Sequence, residues 1–179
     1  MNGIELLVEE HKNIVLFTEL LKKISCDILE GNEVDIKKLR ECVDFGRNYA
    51  DKHHHGKEEK ILFRIMLEKL GPLADKLIRS GMNVEHDLGR YFTGELVKAL
   101  DLYEKEPTTQ VKLAIITNAS AYADLLIRHA GKEDEVVFTF AARTLSEEDK
   151  KQVDEESELF EEAARKLGTQ DKYVKWINQ

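Results

Sequence analysis

Apolar residues recur every three or four positions along most of the chain, which is the spacing of one face of an α-helix. The first such stripe runs from Ile4 through Leu7 to Leu21. It predicts a first helix over residues 3–29, and Gly31 follows at a position where helices commonly end.

Turn residues divide the rest of the pattern into three more long helices. Asp35 can cap the second helix, which ends at the Gly-Pro pair 71–72, where the third helix begins. Either threonine of the pair 108–109 can cap the fourth helix. Four long helices with short connections favour an antiparallel, up-down-up-down arrangement. The predicted fold class is therefore all-α, with residues 1–142 forming a four-helix bundle.

The last part of the chain, residues 143–179, is predicted to form a C-terminal helix and tail that pack on the bundle. Ser146 and Asp149 have the spacing of a capping box and open an acidic helix. Behind it lies an apolar patch made of Tyr173, Val174, Trp176 and Ile177. A docked clasp is preferred to a partner or dimer surface, because nothing in the sequence identifies a partner.

Composition and charge narrow the function classes. A net charge of −8 argues against nucleic acid, because phosphates would be repelled. No run approaches about eighteen consecutive apolar residues, so no segment is expected to span a membrane. The N-terminus carries Glu5 and lacks the pattern of a signal peptide, which makes the cytoplasm the expected compartment. Cys26 and Cys42 lack metal-site spacing and are interpreted as reduced thiols.

One motif occurs twice. His54 and Glu58 lie one helical turn apart, so they face the same side of a helix. The same order of His, Gly, Lys, Glu and Phe begins again at His129. The offset from His54 to His129 also carries the Glu-His pair 10–11 onto the Glu-His pair 85–86. The chain is therefore interpreted as a duplicated helical hairpin, and each copy contributes two histidines and one glutamate.

Distances from the turns place the four histidines at one height. In an antiparallel bundle, residues equally far from a turn lie in the same layer. His11 and His54 are almost equally far from the first predicted turn, and His86 and His129 are almost equally far from the third. A one-residue error shifts the height by only ~1.5 Å. All four imidazoles are therefore expected in one layer of the bundle.

Buried imidazoles and carboxylates need partners, because unpartnered ones cost roughly several kcal/mol. A metal resolves that cost: imidazole and carboxylate suit iron, manganese or zinc, and bridging carboxylates suit a pair of metals. Glu58 and Glu133 are assigned as bridges, and water, oxo or an exogenous ligand must complete the coordination. The candidate metal ligands are His11, His54, Glu58, His86, His129 and Glu133, with His11 and His54 on one metal and His86 and His129 on the other.

Neighbouring residues offer an alternative ligand pair. His55 and Glu59 have the same helical spacing, but the repeat argues against them, because an alanine and an aspartate stand at the equivalent positions. His53 is expected to be solvated. Tyr122 lies on the same face as His129 and is either a core residue or a hydrogen-bonding or ligating group near the metals.

An ordered set of histidines and glutamates thus spans the four predicted helices. It consists of His11, of His54-His55-x-x-Glu58-Glu59 with Leu62-Phe63, of Glu85-His86, and of His129-x-x-x-Glu133 with Phe138. Over about residues 3–140 the set resembles the hemerythrin-like (HHE cation-binding) family. The resemblance implies a four-helix bundle with an oxo-bridged non-haem di-iron site (two iron ions, Fe–O–Fe), for which manganese or zinc could substitute. Members of that family bind oxygen reversibly, store iron, or sense oxygen, iron or nitric oxide.

The third helix departs from the pattern of oxygen-carrying members, which place a second histidine one turn after the first. Here that position is Arg90, which cannot ligate a metal. The metal held by His86 and His129 is therefore expected to have fewer nitrogen ligands than its neighbour. It is also expected to keep a coordination position for water or an anion. Alternatively, Arg90 pairs with a carboxylate, and Tyr122 or Glu85 fills its place.

Three function classes follow. The first is a di-iron protein that binds or senses oxygen, nitric oxide, peroxide or iron; the second is a di-iron peroxidase- or oxidase-like enzyme; the third is a metal-free helical adaptor. The repeat argues against the adaptor, and no substrate pocket is apparent in the sequence, so binding or sensing is preferred. The expected partner is a small diatomic or peroxide ligand, and the expected state is a monomer or homodimer.

Overall fold

This computed structural model describes residues 2–179, apart from the side chain of Thr169. Six helices account for most of these residues. No strand occurs among those residues, so the predicted all-α class is confirmed. None of the described helices is both long and apolar enough to cross a membrane. The helices are α1 (Gly3–Leu29), α2 (residues 36–69), α3 (residues 71–103), α4 (residues 109–144), α5 (Glu147–Lys166) and α6 (Thr169–Ile177).

Side-chain caps fix where the helices begin. The predicted caps Asp35, Thr108 and Ser146 each accept a hydrogen bond from a backbone N–H in the first turn of α2, α4 and α5. Between α2 and α3 the chain turns at Gly71, whose φ of 68° lies in the left-handed region that favours glycine. These local signals confirm the predicted helix boundaries to within a few residues.

Several turns of α2, α3 and α4 are wider than α-helical turns. They have π-helical hydrogen bonding, which closes five residues apart instead of four. The π-helical segments are Gly46–His55 and Glu58–Leu62 in α2, Ile78–Met82 in α3, and Glu133–Val137 in α4. Such turns change the direction of the side chains that follow, and they recur at functional sites.

The long helices pack so that α4 lies against both α1 and α3, while α2 also contacts α1 and α3. Their apolar side chains form two clusters with a polar layer between them. Along α1, Leu7 belongs to one cluster and Ile14 to the other, and His11 lies between them; along α4, Leu126 and Val137 belong to the two clusters in the same way. The polar layer is therefore flanked by apolar side chains above and below, along the direction of the helices.

The C-terminal helices cover α1 and α2. Val153 of α5 belongs to the same apolar cluster as Leu7, and Tyr173 of α6 belongs to the other cluster. The aromatic rings of Tyr173 and Trp176 lie 5.9 and 5.5 Å from the ring of Phe45, between centroids. The tail is thus docked on the helices that carry the first two histidines.

Candidate metal centre

Four imidazoles meet in the polar layer as two pairs. The Nε2 atoms of His11 and His54 lie 2.9 Å apart, and those of His86 and His129 lie 3.0 Å apart. All four rings are buried. Each pair joins side chains of two different helices, so the layer spans all four long helices.

Two carboxylates lie between the imidazole pairs. The Glu58 oxygens are 3.6 Å from His54 Nε2 and 3.5 Å from His86 Nε2. The Glu133 oxygens are 3.3 Å from His11 Nε2 and 3.2 Å from His129 Nε2. Each carboxylate therefore reaches one ring of each pair, which is the position of a bridge between two cations.

These two carboxylates have no hydrogen-bond partner, although both side chains are 0% exposed. A buried unpaired carboxylate is strongly disfavoured unless a proton or a cation neutralises it. Burial, together with the neighbouring Glu133 carboxylate, raises the pKa of Glu58 well above its ordinary value. Burial also raises the pKa of Glu133, but the His129, His11 and His86 imidazoles outweigh burial and hold that pKa well below its ordinary value.

Each imidazole of the layer is oriented by a further carboxylate that accepts a hydrogen bond from its Nδ1. The pairs are His11 with Asp134 (2.8 Å), His54 with Glu10 (2.8 Å), His86 with Glu59 (2.7 Å) and His129 with Glu85 (2.9 Å). Since a carboxylate only accepts, the ring proton is held on Nδ1 and the Nε2 lone pair faces into the layer. Two facing lone pairs 2.9 or 3.0 Å apart require a proton or a cation between them.

The orienting carboxylates obey the internal repeat. Glu10 and Glu85 occupy equivalent positions of the two copies, and each orients the histidine of the next helix. Glu59 and Asp134 are likewise equivalent, and each orients a histidine of the other copy. The sequence shows that these residues repeat, but of the four only Glu85 was predicted as a candidate for the site. The preserved acidic character at both pairs of positions was the available signal.

The outer carboxylates also shift the proton affinity of the rings they hold. Burial lowers the pKa of His11, but Asp134 and Glu133 outweigh it and raise that pKa to about 9. His129 likewise has a pKa of about 9, because Glu133 and Glu85 outweigh burial. For His54 burial prevails over Glu10 and lowers the pKa to about 4. The layer therefore holds displaceable protons next to unprotonated imidazole.

The repeat argues against His55 and Glu59 as the ligand pair, but the structure places both side chains at the site. The ligand atoms of His55 converge with those of Glu58, His86 and His129, while Glu59 binds His86 as described above. A second converging group consists of His11, His54, Glu58 and Glu133. The π-helical segment that ends at His55 directs consecutive side chains inward, whereas the α-helical spacing assumed from the sequence rotates one of them away.

His53 is also buried, at 3% exposure, and not solvated as expected. Its Nε2 lies 3.0 Å from Glu10 and 3.2 Å from Glu161 of α5. The ammonium of buried Lys57 contacts both carboxylates, so this cluster already contains its cation and is not assigned to a metal. Burial raises the pKa of Glu10, and hydrogen bonds from His53 and His54 reverse that effect, so the carboxylate stays ionised.

Arg90 turns away from the layer. Its side chain is 39% exposed and forms ion pairs with Asp51 (2.7 Å), Glu59 (2.8 Å) and Asp87 (3.1 Å). This agrees with the alternative in which Arg90 pairs with a carboxylate. Neither Tyr122 nor Glu85 takes the place beside His86; the ring of His55 stacks on it instead.

Tyr122 and Glu85 have other neighbours. Glu85 orients His129 and contacts the Lys132 ammonium. The buried Tyr122 ring fits between two glycines of α2 and α3: a Cβ added at Gly46 or Gly89 would approach it to 3.1 or 3.2 Å. Tyr122 therefore packs as a core residue at the edge of the site.

The donor set fits a pair of cations. Two buried carboxylates that lack hydrogen-bond partners reach both imidazole pairs, and four Nε2 atoms are oriented by outer carboxylates. Together they provide nitrogen and oxygen ligands whose protons can be displaced. The structure brings together the ligand atoms of all six side chains predicted from the sequence, and His55 lies among them.

Comparison with known proteins agrees with this chemistry. The chain matches the family model described as the hemerythrin HHE cation binding domain over residues 2–141, a segment that contains every residue of the layer and all four orienting carboxylates. Among curated proteins, none matches the chain. The family match covers most of the chain and leaves out α5 and α6. The chain therefore belongs to the hemerythrin HHE cation-binding domain family.

Proposed function

We propose that this chain is a non-haem di-iron protein of four-helix-bundle architecture, whose iron pair binds or senses a small diatomic or peroxide ligand. His11 and His54 would hold one ion, His86 and His129 the other, and the two central glutamates would bridge them. Mixed nitrogen and oxygen ligands suit iron, and carboxylate bridges suit two ions close together.

One observation carries the proposal: the Glu58 and Glu133 carboxylates are fully buried, lack hydrogen-bond partners and lie between two imidazole pairs. A metal-free adaptor would have no use for this arrangement, because replacing such groups by apolar ones removes the desolvation penalty. Divalent cations are the partners that satisfy both carboxylates and all four Nε2 atoms at once.

The remaining residues of the layer orient ligands and exclude water. Phe138 stacks on His11 with ring centroids 5.6 Å apart, and its repeat counterpart Phe63 stacks on His86 at 5.9 Å. When bound, an iron pair supplies one-electron changes at two adjacent ions and exchangeable coordination positions. The protein contributes a buried layer in which each imidazole is held by its own carboxylate.

The test is anaerobic loading with ferrous iron followed by admission of oxygen. The proposal predicts close to two irons per chain, absorption bands of a bridged ferric pair, and a further change when azide is added. One iron per chain, the spectrum of isolated ferric ions, or no retained iron in a protein of normal helicity would contradict it. Peroxide turnover by the loaded protein, measured in the same experiment, distinguishes an enzyme from a binding or sensing protein.

A further inference from the structure

A cavity of about 630 Å³ extends from the surface between α2 and α3 to the metal layer. His55 and His86 form part of its wall, and Gly46, Gly89 and Tyr122 also line it. It therefore leads to the second metal position, the one assigned to His86 and His129. We refer to it as the His55 cavity.

His55 is a buried imidazole without a partner. It is 3% exposed, and neither ring nitrogen makes a hydrogen bond. The nearest carboxylate oxygen, on Asp51, lies 3.6 Å from Nδ1, beyond hydrogen-bond distance. A neutral imidazole has one N–H donor and one acceptor nitrogen, and leaving both unused in a buried position is unfavourable. The ring is therefore suited to a partner that enters the cavity.

The orientation of His55 distinguishes a neighbour of the metal from a ligand of it. Its ring is stacked on that of His86, with centroids 3.9 Å apart and planes 9° from parallel. An ion lies near the plane of each imidazole that ligates it, and two nearly parallel planes stacked one over the other share no such point, even though the ligand atoms of His55 and His86 are close together. By contrast, His86 and His129 are inclined at 70°, which suits convergence. His55 thus lies beside the second metal position with its nitrogens free.

This feature is confined to one half of the molecule. The repeat counterpart of His55 is Ala130, so the metal held by His11 and His54 has no such imidazole beside it. The cavity wall also carries cationic side chains in a chain whose net charge is −8, and Arg47 and Lys52 are exposed on it. Positive charge along a cleft raises the local concentration of anions.

We propose that the His55 cavity binds a small inorganic anion at the second metal position and that the His55 N–H donates a hydrogen bond to it. The proposal rests on the proposed function, because the metal anchors the anion. It assigns the exchangeable position to the ion of His86 and His129, and it gives His55 a role in binding the ligand rather than the metal.

Azide titration of the iron-loaded full-length protein, followed by its optical spectrum, tests the proposal. His55→Leu should retain two irons and bind azide about ten- to hundredfold more weakly, because one hydrogen bond to a charged group is lost. His55→Gln retains a donor and should recover part of the affinity. Arg47→Glu should slow azide binding in a salt-dependent manner, whereas Arg143→Glu, the same charge change away from the cavity, should not.

Two results would overturn the proposal and leave the di-iron assignment intact. If His55→Leu loses iron or changes the spectrum before azide is added, His55 is itself a metal ligand. If His55→Leu and Arg47→Glu both keep two irons and bind azide as the unsubstituted protein does, the anion binds elsewhere. A wild-type protein that retains no iron refutes both this proposal and the di-iron assignment.

Discussion

At the scale of single residues, the centre depends on carboxylates in two different positions. Glu58 and Glu133 lie between the imidazole pairs, and a second set of carboxylates holds the Nδ1 proton of each ring. In the proposed di-iron site, removing a central carboxylate would remove a ligand of both ions, whereas removing an outer one would only free an imidazole to rotate. The two kinds of carboxylate should therefore differ in what their loss does to metal binding.

Glu58→Ala and Glu59→Ala test that difference on adjacent positions. Glu58→Ala should lose the metal pair, because a bridge is absent. Glu59→Ala should keep it with about 10- to 100-fold weaker affinity, because His86 loses the carboxylate that orients it. Metal titration measures both, and Glu135→Ala, an exposed neighbour of the second motif, serves as the control. Equal effects of the two substitutions would contradict the assignment of distinct roles.

Protons held in the metal-free layer should be released when metal binds. His11 and His129 have pKa values raised to about 9, so both are protonated at pH 7.5. Because a ligand must give up its proton, metal binding should release about one proton from each of these two histidines, and affinity should fall as pH is lowered from 9.

Calorimetry in buffers of different ionisation enthalpy counts the protons released. The number should decrease above pH 9, where the two histidines are already neutral in the metal-free protein. Binding without proton release at pH 7.5 would show that the layer is not protonated as its electrostatics require.

At the scale of helices, the π-helical segments explain where prediction from the sequence succeeded and where it failed. The spacing between His54 and Glu58, and its repetition at His129 and Glu133, sufficed to predict the central side chains, which the structure brings together. The same spacing, applied as a regular α-helix, rotated His55 outward. Hydrophobic periodicity does not reveal the wider turns of the segment that ends at His55.

The link between α2 and α5 gives a test at this scale. Lys57 is buried against Glu10 of α1 and Glu161 of α5, which would repel each other without it. Lys57→Met should therefore lower the free energy of unfolding by about 3–5 kcal/mol. Urea denaturation of the metal-free protein measures this, with the exposed Lys60→Met as the control. A change as small as that of the control would contradict the role assigned to Lys57.

At the scale of the whole molecule, the polar layer lies between two apolar clusters, which contain none of the candidate metal ligands. One cluster contains Leu7 and Val153, and the other contains Ile14 and Tyr173, so the C-terminal helices reinforce both. Helix caps and apolar stripes predicted the helices from the sequence. The docking partners of α5 and α6 could not be predicted in the same way, because they depend on shape complementarity between distant segments.

Metal removal should therefore lower stability without unfolding the protein. Binding to the folded state alone raises the melting temperature, and chelation reverses that gain, while the apolar clusters keep the helices packed. Circular dichroism of the loaded and metal-free protein should show similar helicity and a lower melting temperature after removal. An unchanged melting temperature after verified loss of metal would place the ions outside the core.

Anomalous diffraction at the iron absorption edge, from crystals of the iron-loaded protein, tests the metal pair most directly. Two peaks per chain are expected, about 3.5–4 Å apart. One peak should lie beside His11 and His54, the other beside His86 and His129, with Glu58 and Glu133 between them. A single peak, or a peak at Glu10, His53 and Glu161, would contradict this placement of the metal pair.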